Sequence, residues 1–178
     1  MLNTARLILR PFKLDDAPSV QQLAGDREIA SNTLRIPHPY TDGLAEEWIG
    51  IHAEQFAEGK AVNYAIVLKC NNYLIGSIGL TIDREHERAE LGYWLGKPFW
   101  GHGYCTEAGK AVIKYGFDGL NLNRIDAHYL SRNPASGRVM EKLGMKYEGC
   151  FREAVKKWDV YEDVTICAIL KNEYYTDQ

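Results

Sequence analysis

The residues able to do chemistry are concentrated in a few short stretches. From Trp94 to Ala108 the chain reads Trp-Leu-Gly-Lys-Pro-Phe-Trp-Gly-His-Gly-Tyr-Cys-Thr-Glu-Ala, and it continues Gly-Lys-Ala-Val-Ile-Lys-Tyr-Gly-Phe to Phe117. Ala108, Ala111, Val112 and Tyr115 recur at i, i+3, i+4 and i+7, the apolar stripe of a helix, with Lys110 and Lys114 off it. Gly101 and Gly103 therefore stand in a turn at a helix start. Free N–H groups and the positive end of the helix dipole meet there, which suits an anion and above all a phosphate. Glycine at such a turn lets backbone approach the anion closely. A plain strand-to-helix connection is the alternative. No Gly-Lys-Ser/Thr closes the turn as a P-loop would, and no third glycine completes a dinucleotide fingerprint.

Other polar residues stand at telling positions. Asn133 and Ser136 open a second helix that also carries Arg138 and Lys142. Asparagine is a favoured cap, so capping alone would explain Asn133. Glu90 interrupts an apolar run and, by strand alternation, points opposite Leu91. It is either a solvent-facing carboxylate or a proton acceptor. Gly92 in the same run predicts a bulge or the close approach of another backbone. Cys105 follows the glycine turn, where a helix N-terminus could lower its pKa. A small packing residue is the plainer reading. His102 reads as a loop residue or phosphate neighbour rather than a general base.

Periodicity supplies the elements that must hold these groups. Arg6–Pro11 reads as a strand. Asp15 and Asp16 then cap a helix that Pro18 helps to start and that runs to about Leu23. Asp26 caps a short helix through Ser31. The two prolines of 35–40 predict a loop, read as a connector, with a wall of an acceptor site as the alternative. Asp42–Glu58 keeps helical spacing and stops at Gly59. Strands follow over Asn63–Lys69 and Tyr73–Ile82 around a Cys70-Asn71-Asn72 turn, and over Ala89–Leu95. After the central helix come a strand at Arg124–Leu130, a helix from Asn133 or Pro134 to Leu143, and a hairpin of Lys146–Arg152 with Tyr161–Leu170. The strand-helix-strand unit from 89 to 130 demands a parallel pair between antiparallel hairpins. The fold class is α/β (α+β), a mixed sheet flanked by helices.

Glu90-Leu91-Gly92-Tyr93-Trp94-Leu95, Trp100 through Ala108, Asn123-Arg124-Ile125, Asn133-Pro134-Ala135-Ser136 and Glu141-Lys142-Leu143-Gly144-Met145 occur in the order of a known family. They resemble the GCN5-related N-acetyltransferases, and within them the Rim-type group, named for acetylating ribosomal-protein N-termini. The resemblance spans about Ala5 to Leu170, nearly the whole chain. It implies a sheet of about seven strands whose two central parallel strands splay apart to leave a cleft. It also implies acetyl-CoA as cosubstrate, without a metal. Its pantetheine arm would lie beside Tyr93, Trp94 and Leu95. Its phosphates would sit on Gly101, His102, Gly103, Tyr104, Cys105 and Thr106, with Arg138 nearby. Asn133 would bond a pantetheine amide, and Ser136 would reach the leaving sulfur. Glu90 and Ser136 are the expected catalytic pair. The acceptor implied is a primary amine, first a protein α-amine. A polyamine, amino acid or antibiotic is the alternative, and a non-catalytic acyl-CoA-binding module is a further one. Two departures stand out. Pro98 occupies the place of a glutamine or arginine in the family's signature. Val139-Met140-Glu141 lacks the tyrosine that many relatives use as general acid.

Bulk properties narrow the classes. A chain of 178 residues, 46% of them hydrophobic, suits one domain over 1–178 with a real core. A net charge of −3 gives no general drive toward nucleic acid or an anionic membrane. No apolar run approaches the ~20 residues of a membrane span, and the first residues lack a signal-peptide pattern. Cys70, Cys105, Cys150 and Cys167 are scattered without zinc spacing, so reduced thiols in the cytoplasm are expected. A homodimer is left open.

Overall fold

The alternating segments assemble into one mixed sheet of eight strands. The computed structural model describes residues 1–176, so the last two positions of the expected 1–178 unit lie outside the described residues. The strands are β1 (Leu2–Asn3), β2 (Leu7–Arg10), β3 (Ala61–Leu68), β4 (Leu74–Asp83), β5 (Arg88–Leu95), β6 (Arg124–Leu130), β7 (Lys146–Lys157) and β8 (Val160–Leu170). Their order across the sheet is β1-β2-β3-β4-β5-β6-β8-β7, and every neighbouring pair is antiparallel except β5 with β6. The helices are α1 (Ala17–Ala24), α2 (Arg27–Asn32), α3 (Leu44–Gly50), α4 (His52–Ala57), α5 (Tyr104–Asp118), α6 (Pro134–Lys142) and α7 (Lys171–Thr176).

β5 and β6 position the site. β5 pairs with β4 along its whole length, from Arg88 opposite Asp83 to Leu95 opposite Gly76. Its other edge meets β6 at Arg88–Arg124, Ala89–Ile125 and Glu90–Asp126, and the described pairing stops there. Beyond Glu90 the strands part, as the resemblance implied. The crossover between them is α5, whose stripe packs as its spacing predicts: Ala108 and Val112 are fully buried, with Ile113 and Phe117 beside them.

Two hydrophobic layers enclose the sheet. Leu7, Leu9, Ile66, Ile78, Leu91 and Ile125 meet α5 on one face. Ala65, Val67 and Leu74 meet α1 and α3 on the other, with Trp48 and Trp94 at the margin. Alternation along β5 and β6 then sorts the polar residues. Leu91 and Tyr93, with Ile125 and Ala127, face α5. Glu90, Trp94, Asp126 and His128 occupy the opposite parity and face the α1–α3 side.

Several boundaries differ from the sequence reading. The sheet has eight strands rather than about seven, because the two-residue β1 adds to the edge. The helix expected over 42–58 is two helices meeting at Ile51, just after Gly50, a poor helix former. β7 runs to Lys157, past an irregularity between Phe151 and Val155 where Glu153 takes φ 51°. The sequence reading ends this strand at Arg152. α7 was not foreseen. No bulge interrupts β5 at Gly92: the register with β4 runs unbroken through Gly79–Gly92, and a Cβ at Gly92 would meet nothing within 4 Å. That glycine borders open space instead of a packed backbone.

Candidate active site

The glycine turn is held from outside by Thr4 and Arg6, in the connection between β1 and β2. Gly101 and Gly103 adopt φ 77° and 78°, the left-handed region that favours glycine. Gly103 is the N-cap of α5 and no side chain caps it, so the first N–H groups of a 15-residue helix point outward. Glu107, in the first turn of that helix, accepts from Thr4 Oγ1 at 2.6 Å, Arg6 N at 2.7 Å and Arg6 Nε at 2.7 Å. Arg6 Nη1 donates to the His102 carbonyl at 3.0 Å, and its guanidinium lies 4.5 Å from the Tyr104 ring centroid. Burial alone would raise the Glu107 pKa. Its bonds from Thr4 and Arg6 outweigh that and hold the carboxyl below its usual range. Trp100 Nε1 donates to Leu95 O at 2.7 Å, which ties the far end of the turn to β5.

These elements enclose a cavity of about 300 Å³. Its lining contains Tyr93, Trp94, Leu95, Gly101, Gly103, Tyr104, Cys105, Thr106, Asn133, Ser136 and Arg138, all expected at the cofactor. His102 is not among the lining residues; its ring stacks on Tyr104 with centroids 5.7 Å apart. Lys142, on the same helix as Arg138, lines the cavity too, as do Asn32 and Thr33, which the sequence reading did not single out. Asn133 does cap α6, its Oδ1 accepting from Ser136 N at 3.3 Å. Its Nδ2 also donates to Ser136 Oγ at 3.1 Å, so the capping residue and the hydroxyl form one polar unit facing the cleft. Burial pushes the Cys105 thiol up to about 12, opposite to the lowering a helix N-terminus could give, which fits the small packing residue.

A second cavity of about 510 Å³ lies on the α1–α3 side. Tyr40, Trp48, Trp94 and Ile36 give it apolar walls, and Glu90 and His128 face it. The loop that had been read as a connector is one of its walls, since residues 33–37 all line it. Lys157 Nζ pins that loop by donating to Thr33 O at 2.6 Å and Ile36 O at 3.2 Å. Glu90 accepts from Arg35 Nη2 of the same loop at 3.3 Å.

The two cavities share Asn32, Thr33, Tyr93, Trp94 and Ser136. At this junction the Tyr93 phenol donates to Ser136 O at 3.5 Å, and burial raises its pKa, keeping it protonated at neutral pH. The expected tyrosine after Asn133 is absent, yet a phenol reaches the same helix from β5. Alternation along β5, which puts Tyr93 on the α5 face with Leu91, was the available signal. A site of this form can seat an anionic chain along one cavity and a second reactant in the other, with their ends meeting at Tyr93 and Ser136.

Comparison with known proteins identifies the family. A family model described as an acetyltransferase (GNAT) domain matches residues 6–146. An uncharacterized N-acetyltransferase, p20 of Bacillus licheniformis, is 37% identical over 175 residues, covering 97% of this chain and 97% of that protein. The crystal structure of a GNAT-family acetyltransferase from Bacillus anthracis superposes with a TM-score of 0.85 at 26% identity, covering 96% of this chain and 98% of that one. RimL, a ribosomal L7/L12 α-N-protein acetyltransferase solved with coenzyme A, shares the fold with a TM-score of 0.87 at 20% identity over 94% of this chain and 95% of its own. The chain belongs to the GNAT family of acetyltransferases. It is an enzyme of the N-acetyltransferase type.

Proposed function

We propose that the chain transfers the acetyl group of acetyl-CoA to a primary amine, and that the amine is the α-amine at a protein or peptide N-terminus, as in the Rim-type branch. The observation that carries this reading is the pair of cavities meeting at Tyr93 and Ser136. The uncapped start of α5, with Gly101 and Gly103, suits the pyrophosphate. Past Glu90 the outer edge of β5 has no described β6 partner, so an amide-bearing arm can lie there as an added strand. Asn133 and Ser136 face that arm from α6. The amine then approaches from the larger cavity, where Glu90 can hold an ammonium. Attack on the thioester carbonyl gives a tetrahedral intermediate, and the thiolate leaves toward Ser136 Oγ and the Tyr93 phenol. Positioning and carbonyl polarisation supply most of the acceleration.

The acceptor class rests on two supports. An α-amine titrates near ~8 and a lysine near ~10.4, so the former needs less help to become neutral. Glu90 is also the one carboxylate among the described residues lining the larger cavity, whose other walls are largely aromatic and aliphatic. That fits one ammonium on an apolar body better than a polyamine. The test is thiol release from acetyl-CoA with N-terminal peptides, free amino acids and polyamines compared by kcat/KM. A polyamine turned over more efficiently than any peptide would overturn the acceptor assignment. No thiol release with any amine, despite tight CoA binding, would favour the acyl-CoA-binding module.

A further inference from the structure

On the acceptor side of the sheet, β6 carries two polar residues that the reaction outlined above does not use. Asp126 and His128 are two positions apart and so project to the same face. His128 Nε2 lies 3.1 Å from Asp126 Oδ2. Glu90 sits directly across the last parallel pair from Asp126, and His128 shares the larger cavity with Glu90, Tyr93 and Ser136.

We infer that His128, oriented by Asp126, is the group that takes the proton from the acceptor ammonium, and that Glu90 is its electrostatic neighbour and not the base. The inference rests on the N-acetyltransfer reading. A carboxylate can only accept, so the Asp126 bond assigns the proton to Nε2 and leaves the Nδ1 lone pair free. Among the described residues no group bonds Nδ1. Glu90, by contrast, is engaged by Arg35. Asp126 is itself fixed: burial opposes its charge, but His128 and Arg124 outweigh that and keep its pKa below the usual carboxylate value. Arg124 in turn is held by Glu148 at 2.5 Å.

The step balances simply. The ammonium gives one proton to Nδ1, and the freed lone pair attacks the thioester carbon. The tetrahedral adduct expels the CoA thiolate, and the second nitrogen-bound proton passes to that sulfur. The imidazolium then returns its proton to water. The charged groups around the ring act in known directions. Asp126, through its hydrogen bond and charge, and Glu90 raise the His128 pKa, while burial and Arg35 lower it, and the net direction is upward. β8 places Ile166 opposite His128.

The experiment is a pH profile of kcat/KM for the wild type, His128→Gln, Asp126→Asn and Glu90→Gln, with CoA affinity measured for each. The wild type should lose activity on the acid side with an inflection above 6.5, the ordinary histidine value. In Asp126→Asn that inflection should move to lower pH. In His128→Gln the histidine inflection should give way to one at the amine's own pKa, with kcat/KM down about 10²- to 10⁴-fold at neutral pH. Activity should recover toward high pH, where the amine is already neutral. Glu90→Gln should keep an inflection, displaced downward. Imidazole NMR on the unliganded wild type and Asp126→Asn gives the same titration without turnover. A His128 midpoint at or below 6.5, or one unmoved in Asp126→Asn, overturns the dyad. A His128→Gln profile matching the wild type overturns it while acetyl transfer stands. A wild type inactive toward every amine removes both readings.

Discussion

Substituting Gly103 tests the phosphate position, because strain and charge can be separated there. Gly103 has φ 78°, so any side chain costs roughly 1–2 kcal/mol of left-handed strain. Space is not the obstacle: a Cβ there would find Arg6 Nη2 nearest, at 3.7 Å. Gly103→Ala therefore isolates the strain, and both Ala and Asp should lower unfolding stability by that amount. Asp adds a charge beside the proposed pyrophosphate. Two unit charges ~4 Å apart at an effective dielectric of ~20 interact by about 4 kcal/mol. Arg6 and solvent offset part of that, which leaves about 2 kcal/mol, or about 30-fold in affinity. Aspartate is a good cap only from the extended conformation, so at this φ it gains little from the helix. Calorimetric titration of CoA into both folded variants reads the difference directly. Gly103→Asp should bind about 30-fold more weakly than Gly103→Ala at low salt, with the gap narrowing as salt rises. Equal CoA affinities in the two variants would place the phosphates elsewhere.

The other expectations concern the supports of the site. Glu107→Ala frees Arg6 and the His102 carbonyl from their lock, so CoA affinity should fall about tenfold, as one charge-assisted bond is worth ~1.5–3 kcal/mol and only part of it reaches the turn; an unchanged affinity would make the lock purely structural. Asn133→Ala should raise KM for acetyl-CoA by the ~0.5–1.5 kcal/mol of one hydrogen bond, whereas Asn133→Asp keeps the cap but loses the N–H donor; identical stability loss with unmoved KM in the Ala variant would leave capping as the whole role. His52 has both ring nitrogens buried and, among the described residues, without hydrogen-bond partners, and burial lowers its pKa to about 4. Its folded pKa lies below its unfolded value near 6.5, so stability falls as pH drops from about 6.5 toward 4, by at most about 2 kcal/mol at pH 5 and about 1 after allowing for solvent. His52→Phe should remove that loss in urea unfolding at pH 7.5 and 5.0, and parallel curves for both proteins would refute the cause. His128, whose folded pKa is raised, contributes in the opposite direction and is present in both proteins.

The legible parts of the chain were those with strong local period. The stripe Ala108, Val112 and Tyr115 located α5, and Arg124–Leu130 was placed to the residue. The glycine turn was legible because left-handed backbone leaves a compositional mark at Gly101 and Gly103. β1 left no such mark, since two residues have no period, and neither did α7, whose six residues follow directly on β8. The acceptor wall was hidden for another reason. Residues 33–37 line the larger cavity through bonds to Lys157 and Arg35–Glu90, contacts between segments far apart in sequence. Asp126 and His128 could have been paired by alternation alone. What the chain does not reveal locally is that β6 turns that face toward the cleft rather than toward a covering helix.

The parting of β5 and β6 links fold to chemistry through an energetic argument. A strand edge inside a protein carries N–H and C=O groups that need partners. On β5 the inner edge is satisfied by β4 throughout, and the outer edge by β6 only as far as Glu90. Trp100 takes the Leu95 carbonyl and so closes the far end. Between those limits the edge borders the smaller cavity, and β6 supplies it no sheet partner among the described residues. On the proposed reading, a ligand carrying amides at strand spacing supplies those partners at little ordering cost to the protein, because β4 already holds β5 straight. Closing the gap by pairing β6 further would satisfy the same groups and abolish the cavity. The divergence leaves polar groups without sheet partners where a mobile, amide-bearing chain can use them, and it brings the starts of α5 and α6 to face the same space.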